Sequence, residues 1–265
     1  MKVFGEYAKY YDLLYRDKDY VAEAGYVDDL IRTHAPGAKS VLNLGCGTGN
    51  HDIILAEKGY RITGIDRSAE SIQKAREKLS GATGPVGLKF ETARIQSLKL
   101  DKKFDAVISL FHVFSYLTTE EDLLAALETA GNHLRNGGIL IFDCWYGPAV
   151  LTDQPSVRVK RVENDTLNVI RIAEPELFAQ ENIVEVNYQV IIGNKLNGKM
   201  ARVNECHRMR YWFRPEIDRM LADSGFEPIN CVEWMSNRKP GTDTWNVCFL
   251  ARKRDGGKGP IRKIR

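Results

Sequence analysis

Residues 41–50 read VLNLGCGTGN. A short apolar run ends in three glycines that alternate with Cys46 and Thr48, and Ile53, Ile54 and Leu55 follow in a stretch that stops at Gly59. Glycine lets a backbone turn sharply and approach a ligand closely. An uninterrupted apolar run is what a parallel strand covered on both faces requires. The segment therefore predicts a strand, a glycine loop and a helix, with a ligand crevice at the strand's C-terminal edge. The spacing is GxGxG, not the GxGxxG of dinucleotide binders, and a plain turn can share the composition of a lone glycine loop.

The flanking sequence decides more. YRITGID (60–66) predicts the next strand, and SAESIQKAREKL (68–79) a helix with Ser68 as N-cap and Ser71 in its first turn. Asp66 stands 17 residues beyond Gly49, where an acid can accept the two ribose hydroxyls of an adenosyl group or cap the following helix. GLKFETARI (87–95) is a third strand with its exit and FDAVISLF (104–111) a central fourth. EEDLLAALETAGNHL (120–134) is an amphipathic helix with Asn136-Gly137-Gly138 as its C-cap, and GILIFDCW (138–145) is a fifth strand. Strands alternating with helices predict an α/β, doubly wound parallel sheet. Upstream, residues 7–34 read as helical before Pro36-Gly37.

After strand five the pattern changes. VRVKRV, LNVIRI, NIVEVNYQVII and RVNECHRMRYW within 157–213 alternate or are β-branched, with turn signals at Glu163-Asn164-Asp165, Gly193-Asn194 and Asn197-Gly198. They predict antiparallel hairpins. RPEIDRMLADSGF (214–226) returns to helix, and EPINCVEWM (227–235) with WNVCFLARK (245–253) make an antiparallel closing pair. The expected organisation is a core with an N-terminal helical cap over 1–150, an antiparallel insertion over 151–210, the returning core over 211–253, and a basic, disordered tail over 254–265.

Composition excludes other classes. With 43% hydrophobic and 28% charged residues, the chain suits a globular protein. Lys and Arg number 38 against 35 Asp and Glu, a net charge of +3, which gives no electrostatic case for nucleic acid. Five scattered cysteines without a C-x-x-C pair speak against a disulfide framework or a metal site and for a reducing, cytoplasmic location. No apolar run is long enough to span a membrane.

These motifs together resemble the class I S-adenosylmethionine (SAM)-dependent methyltransferases. VLNLGCGTGN resembles their motif I, GID with Asp66 motif II, FDAVISLFHVFSYL the strand-four motif and LRNGGILIFD the strand-five motif. More narrowly, YYDLLYRDKDY, the FSYL around Tyr116 and FDCWYGPAVL resemble the N-methyltransferases of nucleotide-linked amino sugars in antibiotic and polysaccharide pathways. The resemblance implies a Rossmann-like, seven-stranded methyltransferase sheet with an antiparallel β insertion after strand five. It also implies SAM as cofactor and a homodimer made through the insertion.

For the cofactor it implies Gly45 and Gly47 under the methionine and ribose, Asp66 on the ribose, Ile95 on adenine, Leu110 near the sulfonium, Tyr11 over the methionine carboxylate, and Tyr20 reaching cofactor or substrate. Two positions depart from the family pattern. Asn43 replaces the acid that opens motif I, and Arg94, in the pair Ala93-Arg94, replaces an aspartate before the adenine contact. Asn43 can still meet the methionine amino group and Arg94 can stack on the ring, but both changes are expected to weaken SAM binding, which keeps a non-catalytic SAM-binding protein as an alternative.

Acceptor residues are expected where strands four and five end. Tyr116 and His112 are the catalytic candidates, His112 serving as base if the acceptor is a hydroxyl. Trp145 and Tyr146 can stack on a sugar or base or belong to the core. His207, on a strand whose face is expected to be solvated, can meet a phosphate, and Arg238 with its neighbours can form the acceptor rim. His51 is placed near the cofactor carboxylate and His133 at a helix C-terminus in a structural role. The expected reaction is N-methylation of a small molecule, with O-methylation of a sugar or secondary metabolite as the alternative. Nucleic-acid methylation is disfavoured because Ser109-Leu110-Phe111-His112 replaces the Asp/Asn-Pro-Pro-aromatic signature, and no catalytic Pro-Cys is present.

Overall fold

The computed structural model describes residues 8–79 and 85–255. The tail beyond residue 255 lies outside them.

β1 (Ser40–Leu44) is buried along its whole length and lies between β2 (Arg61–Asp66) and β4 (Phe104–Ser109), parallel to both. β3 (Lys89–Thr92) extends the sheet beyond β2. β5 (Leu134–Trp145) runs parallel to β4. β11 (Asn246–Lys253) then pairs antiparallel with β5, and β10 (Phe226–Glu233) antiparallel with β11. The order β10-β11-β5-β4-β1-β2-β3 is the expected doubly wound, seven-stranded Rossmann-like sheet. Its direction of winding reverses between β1 and β4, so the crevice forms at their C-terminal ends.

Alternation along each strand feeds two cores. Val41, Ala106, Ile108, Ile139 and Ile141 pack with α2 (Tyr20–His34), α3 (Asn50–Glu57) and α4 (Ala69–Leu79). Leu42, Leu44, Val107, Leu140 and Phe142 face α5 (Glu120–His133) and α7 (Arg214–Asp223). Thr119 caps α5 by accepting from the Asp122 N–H at 3.1 Å, and the Ser68 hydroxyl accepts from the Ser71 N–H at 3.1 Å ahead of α4.

Three local expectations are corrected. The N-terminal helix is two helices, α1 (Ala8–Leu14) and α2, because Asp19 starts a new one by accepting from the Ala22 N–H. Asn136-Gly137-Gly138 does not cap α5. That helix stops at His133, Leu134 is already buried beside Phe104, and Gly137 (φ 72) serves an irregular entry into β5. Gly-Pro at 147–148 opens a short helix, α6 (Gly147–Thr152), that the sequence reading did not place. His133 is structural as read: Nδ1–H donates to the Thr129 carbonyl (2.7 Å) and Nε2 accepts from the Leu100 N–H (2.9 Å).

The insertion is a separate four-stranded antiparallel sheet, β6 (Arg158–Glu163), β7 (Leu167–Phe178), β8 (Ile183–Asn194) and β9 (Met200–Arg210), in sequential order. Its turns at 164–166 and 195–199 fall at the expected signals. α1 docks on it through Tyr10 and Leu14 against Val169, Val190 and Ile192. From there α1 reaches the core: Asp12 accepts from the Thr48 hydroxyl at 2.7 Å and pairs with Lys78 at 2.9 Å. The insertion and α1 thus form a roof over the crevice. Among the described residues, no helix is long and apolar enough to cross a membrane.

Candidate active site

A cavity of about 610 Å³ fills the space between the sheet's C-terminal edge and this roof. Its floor is the glycine loop. Gly45 has φ 91, and a side chain there would run into Val113, so no other residue fits. Gly47 has φ 56 and open space where a Cβ would sit. Asp66 is anchored at the end of β2: Oδ2 accepts from the Gly47 N–H at 2.9 Å and Oδ1 from the Ser68 N–H at 2.8 Å. It therefore both holds the loop and begins the next helix. Burial pushes its carboxyl above the usual aspartate range, against the hydrogen bonds from Ser68 and Gly47.

Asn43 alternates with Leu42 and Leu44, so its side chain points towards α3. There its Nδ2 donates to Asp52 Oδ2 at 2.8 Å. Asp52 is fully buried, and burial pushes its carboxyl up to about 7. The acid missing from motif I thus has a counterpart nine residues later on the helix behind it. The sequence reading missed Asp52, which only the packing of α3 on β1 brings to Asn43.

β4 ends in strain. Phe111 (φ 67) and His112 (φ 61) are consecutive left-handed residues without being glycine, a conformation costing roughly 1–3 kcal/mol each. The turn presents Leu110, Phe111 and His112 to the cavity. It is held by Asp143 of β5, whose carboxylate accepts from the His112 backbone N–H at 3.1 and 3.2 Å. His112 Nδ1 lies 2.7 Å from Asp143 Oδ2 without making a hydrogen bond. Asp143, 1% exposed, is a further residue that sequence reasoning missed; its only signal was a polar residue inside an apolar strand.

Tyr11, Tyr20, Asn43, Gly45, Gly47, Asp66, Arg94, Ile95, Leu110, His112, Tyr116, Trp145 and His207 all line this one cavity. Tyr20 lies edge-on to His51, 4.9 Å between ring centroids, and His51 Nε2 meets Glu23 at 2.7 Å. Trp145 stands 6.2 Å from His112 and 5.9 Å from Trp245. Arg94 is an exposed residue opening a short 3-10 turn, Ile95–Ser97.

Two candidates lie elsewhere. Tyr146 packs against the core below α6, its N–H donating to the Trp245 carbonyl at 2.9 Å. Arg238 is folded back within the last hairpin onto Glu233 and Asp243 (2.5 and 2.8 Å), away from the cavity. A third is differently engaged. His207 is not on a solvated face: it is 1% exposed, Nδ1 meets the Tyr116 hydroxyl at 2.7 Å and Nε2 meets Glu205 Oε2 at 3.0 Å. Both ring nitrogens are committed, so neither is offered to a phosphate. The cations that do line the roof, Arg158 and Arg171, were not singled out by the sequence.

Residues 41–138 match the model of the methyltransferase domain family. A dTDP-3-amino-3,4,6-trideoxy-alpha-D-glucopyranose N,N-dimethyltransferase of Streptomyces venezuelae is 32% identical over 89% of this chain and 94% of its own. A dTDP-3-amino-3,6-dideoxy-alpha-D-glucopyranose N,N-dimethyltransferase of Streptomyces fradiae is 28% identical over 97% of this chain and 94% of its own. The crystal structure of Streptomyces venezuelae DesVI superposes with a TM-score of 0.77 at 25% identity, covering 96% of this chain and 100% of that one.

The chain belongs to the SAM-dependent methyltransferases. As a methyltransferase it uses SAM, which supplies a methyl group on a positively charged sulfur. The residues present fit that cofactor. The glycine cradle opens onto the cavity, Asp66 waits at its edge, and two buried acceptors, Asn43 Oδ1 and Asp52 Oδ1, have no protein partner beneath the same loop. Among the described residues, no cluster of three or more His, Cys, Asp or Glu could hold a metal ion.

Proposed function

We propose that the protein N-methylates an amino sugar carried on a nucleotide. The observation that carries this reading is the likeness, over nearly the whole chain, to two dTDP-amino-sugar N,N-dimethyltransferases. The cavity supports it. Beyond the glycine loop it continues under the inserted sheet, past Tyr116, His112 and Trp145, to Arg158 and Arg171. Guanidinium groups there suit a diphosphate, and Trp145 and Trp245 offer apolar faces to a sugar ring.

In this reading Gly45 and Gly47 pass beneath the cofactor, Asp66 takes its ribose hydroxyls, Ile95 and Arg94 flank the adenine, and Asn43 backed by Asp52 lies near the methionine amino group. Tyr11 and Tyr20 close over the methionine end, and Leu110 covers the sulfonium. Tyr116 and His112 face the acceptor nitrogen. An amine in its free-base form needs alignment more than activation, and orientation alone can supply roughly 7–11 kcal/mol of the barrier.

Incubating the protein with SAM and a panel of acceptors tests the reading. The panel is a dTDP-3-amino-6-deoxyglucose, its 3-hydroxy counterpart and the free amino sugar. Mass spectrometry should show methylation of the nucleotide-linked amine only. Methylation of the hydroxy compound instead would establish the O-methyltransferase alternative, for which His112 beside Asp143 is the specific observation. We further propose a cytoplasmic homodimer. Val157 and Val159 are exposed apolar side chains beside and on the edge strand β6, which also carries Arg158, Lys160 and Arg161. Sedimentation should give twice the chain mass at micromolar concentration, and a monomer mass would refute it.

A further inference from the structure

We propose that His112, positioned by Asp143, is the base that takes the proton from the acceptor's ammonium group, with Nε2 as the accepting atom. The inference rests on the amino-acceptor reading above and assigns the proton that this reading leaves unplaced.

An alkyl amine holds its proton at neutral pH, so an amino sugar arrives mainly as its ammonium. An ammonium nitrogen has no lone pair with which to take a methyl group. Under a roofed cavity, a side chain must accept that proton before transfer.

The burial of Asp143 points to the side chain. Asp143 lies inside β5 between Phe142 and Cys144 and is 1% exposed. Among the described residues its carboxylate has no partner but His112. Neither Lys nor Arg offsets its desolvation, and an imidazolium is the charge its surroundings offer. Nδ1 of His112 stands 2.7 Å from Asp143 Oδ2. Two bare lone pairs repel at that distance, so Nδ1 carries the imidazole proton and Nε2 keeps the lone pair. The ring lines the cavity, and the side chain is 16% exposed. Nε2 has no hydrogen-bond partner among the described residues and, unlike Nδ1, is not buried, so it opens onto the cavity.

The backbone is bent to make this placement. Phe111 and His112 are both left-handed, and the Asp143 carboxylate that faces the ring also holds the His112 N–H. Strain of this kind persists only where its surroundings over-determine it. Trp145 lies 6.2 Å from the His112 ring, so a sugar stacked on Trp145 sits beside the base. The other charges around the turn are engaged elsewhere or stand across the cavity. Lys18 lies 4.2 Å over the Phe111 ring, Asp153 accepts from the Trp245 indole N–H at 3.1 Å, and Arg158 and Arg171 belong to the roof.

In the step, Nε2 accepts one ammonium proton and the N–H bond breaks with its electrons left on nitrogen. A neutral amine and an imidazolium facing the Asp143 carboxylate result, with charge conserved. The freed lone pair then forms the C–N bond as the C–S bond breaks with its electrons left on sulfur. The imidazolium returns its proton to water when the cavity opens.

The test uses the full chain, SAM and dTDP-3-amino-6-deoxyglucose, with initial rates of the first methylation followed by mass spectrometry from well below to above the amine's own pKa. His112→Asn and Asp143→Asn are compared with wild type. Asparagine tolerates the left-handed backbone at 112 and, at 143, can still accept from the His112 N–H. Calorimetry with S-adenosylhomocysteine shows that each variant keeps its cofactor site. In His112→Asn only the free amine reacts, so kcat/KM should fall about tenfold for each pH unit below the amine's pKa. Wild type should stay level there, leaving the variant roughly 10–100-fold slower at neutral pH and within about threefold above the amine's pKa. Asp143→Asn should show a loss in the same pH range. Nitrogen NMR should find the Nδ1–H form of His112 in the resting wild type. A loss in His112→Asn that is the same at every pH, as a merely structural role would give, overturns the proposal. So does an unchanged rate, or the Nε2–H form at rest. A wild-type protein that leaves the amine unmethylated at every pH overturns the amino-acceptor reading instead, and this proposal with it.

Discussion

Asp66→Ala should lower the affinity for SAM and for S-adenosylhomocysteine by about 100-fold or more. The carboxylate holds two backbone N–H groups, of Gly47 and Ser68, and its removal leaves both without their acceptor at the floor of the cavity. An unsatisfied buried donor costs about 1–3 kcal/mol, and each hydrogen bond lost from a charged acceptor to a ribose hydroxyl about 1.5–3 kcal/mol. These costs overlap, since the loop can relax towards solvent, but two or three of them amount to at least two decades of affinity. Because burial raises the carboxyl's pKa, the wild-type affinity should fall on acidification at a higher pH than an ordinary aspartate would set. Isothermal calorimetry on the variant, with circular dichroism to show that it is folded, makes the measurement. Near-wild-type affinity in a folded Asp66→Ala would mean that the ribose is held elsewhere.

Trp212→Ala should cost about 3–5 kcal/mol of stability, the usual price of emptying a large aromatic site in a core. Trp212 is fully buried where the insertion rejoins the core. Its backbone ties both sides: its N–H donates to the Trp145 carbonyl at 2.9 Å, and its carbonyl accepts from the Gly147 N–H at 3.0 Å. Its indole N–H donates to the Phe114 carbonyl at 3.3 Å, and Arg210 lies 4.0 Å over its ring. Alanine leaves a void and a guanidinium without its aromatic face, while the Phe114 carbonyl keeps only its bond from the Leu117 N–H at 3.2 Å. The urea midpoint, read by far-ultraviolet circular dichroism because a fluorophore is lost, should drop accordingly. A loss below about 1 kcal/mol would show that the insertion and core are joined mainly by other contacts. The void also lies under the 3-10 turn that carries Tyr116, so methyl transfer should weaken more than cofactor binding.

How much of this was legible in the sequence depends on the range of the contact that decides each feature. The strands of the main sheet and their glycine loop could be read because local pattern favours them: short, mainly apolar runs bounded by turn residues suit strands covered on both faces, and a glycine at positive φ has few substitutes. Asp66 was legible for the same reason, since it ends the strand that follows the loop. The inserted hairpins announced themselves by alternation and turn residues, although β7 runs through Pro175, further than its pattern suggested. Boundaries failed where tertiary burial overrode a local signal, as at Asn136-Gly137-Gly138, where pairing of Leu134 with Phe104 draws the glycines into β5.

The sequence by itself determined the fold class and most of the cavity floor, because these depend on residues close together in the chain or on the period of a single element, and the resemblance of its motifs to the methyltransferases pointed to the cofactor. Only the tertiary structure decided which polar groups work in pairs. Asn43 meets Asp52, His112 meets Asp143, and Tyr116 meets Glu205 through His207. The last of these partnerships spans 91 residues between Tyr116 and His207. No local pattern encodes such a meeting. A buried carboxylate or imidazole must find a partner to offset its desolvation, but which partner it finds is set by how the roof packs on the sheet. Pairing with Glu233 and Asp243 inside the last hairpin turned Arg238 away from the cavity, whereas the packing of the roof brought Arg158 and Arg171 to it.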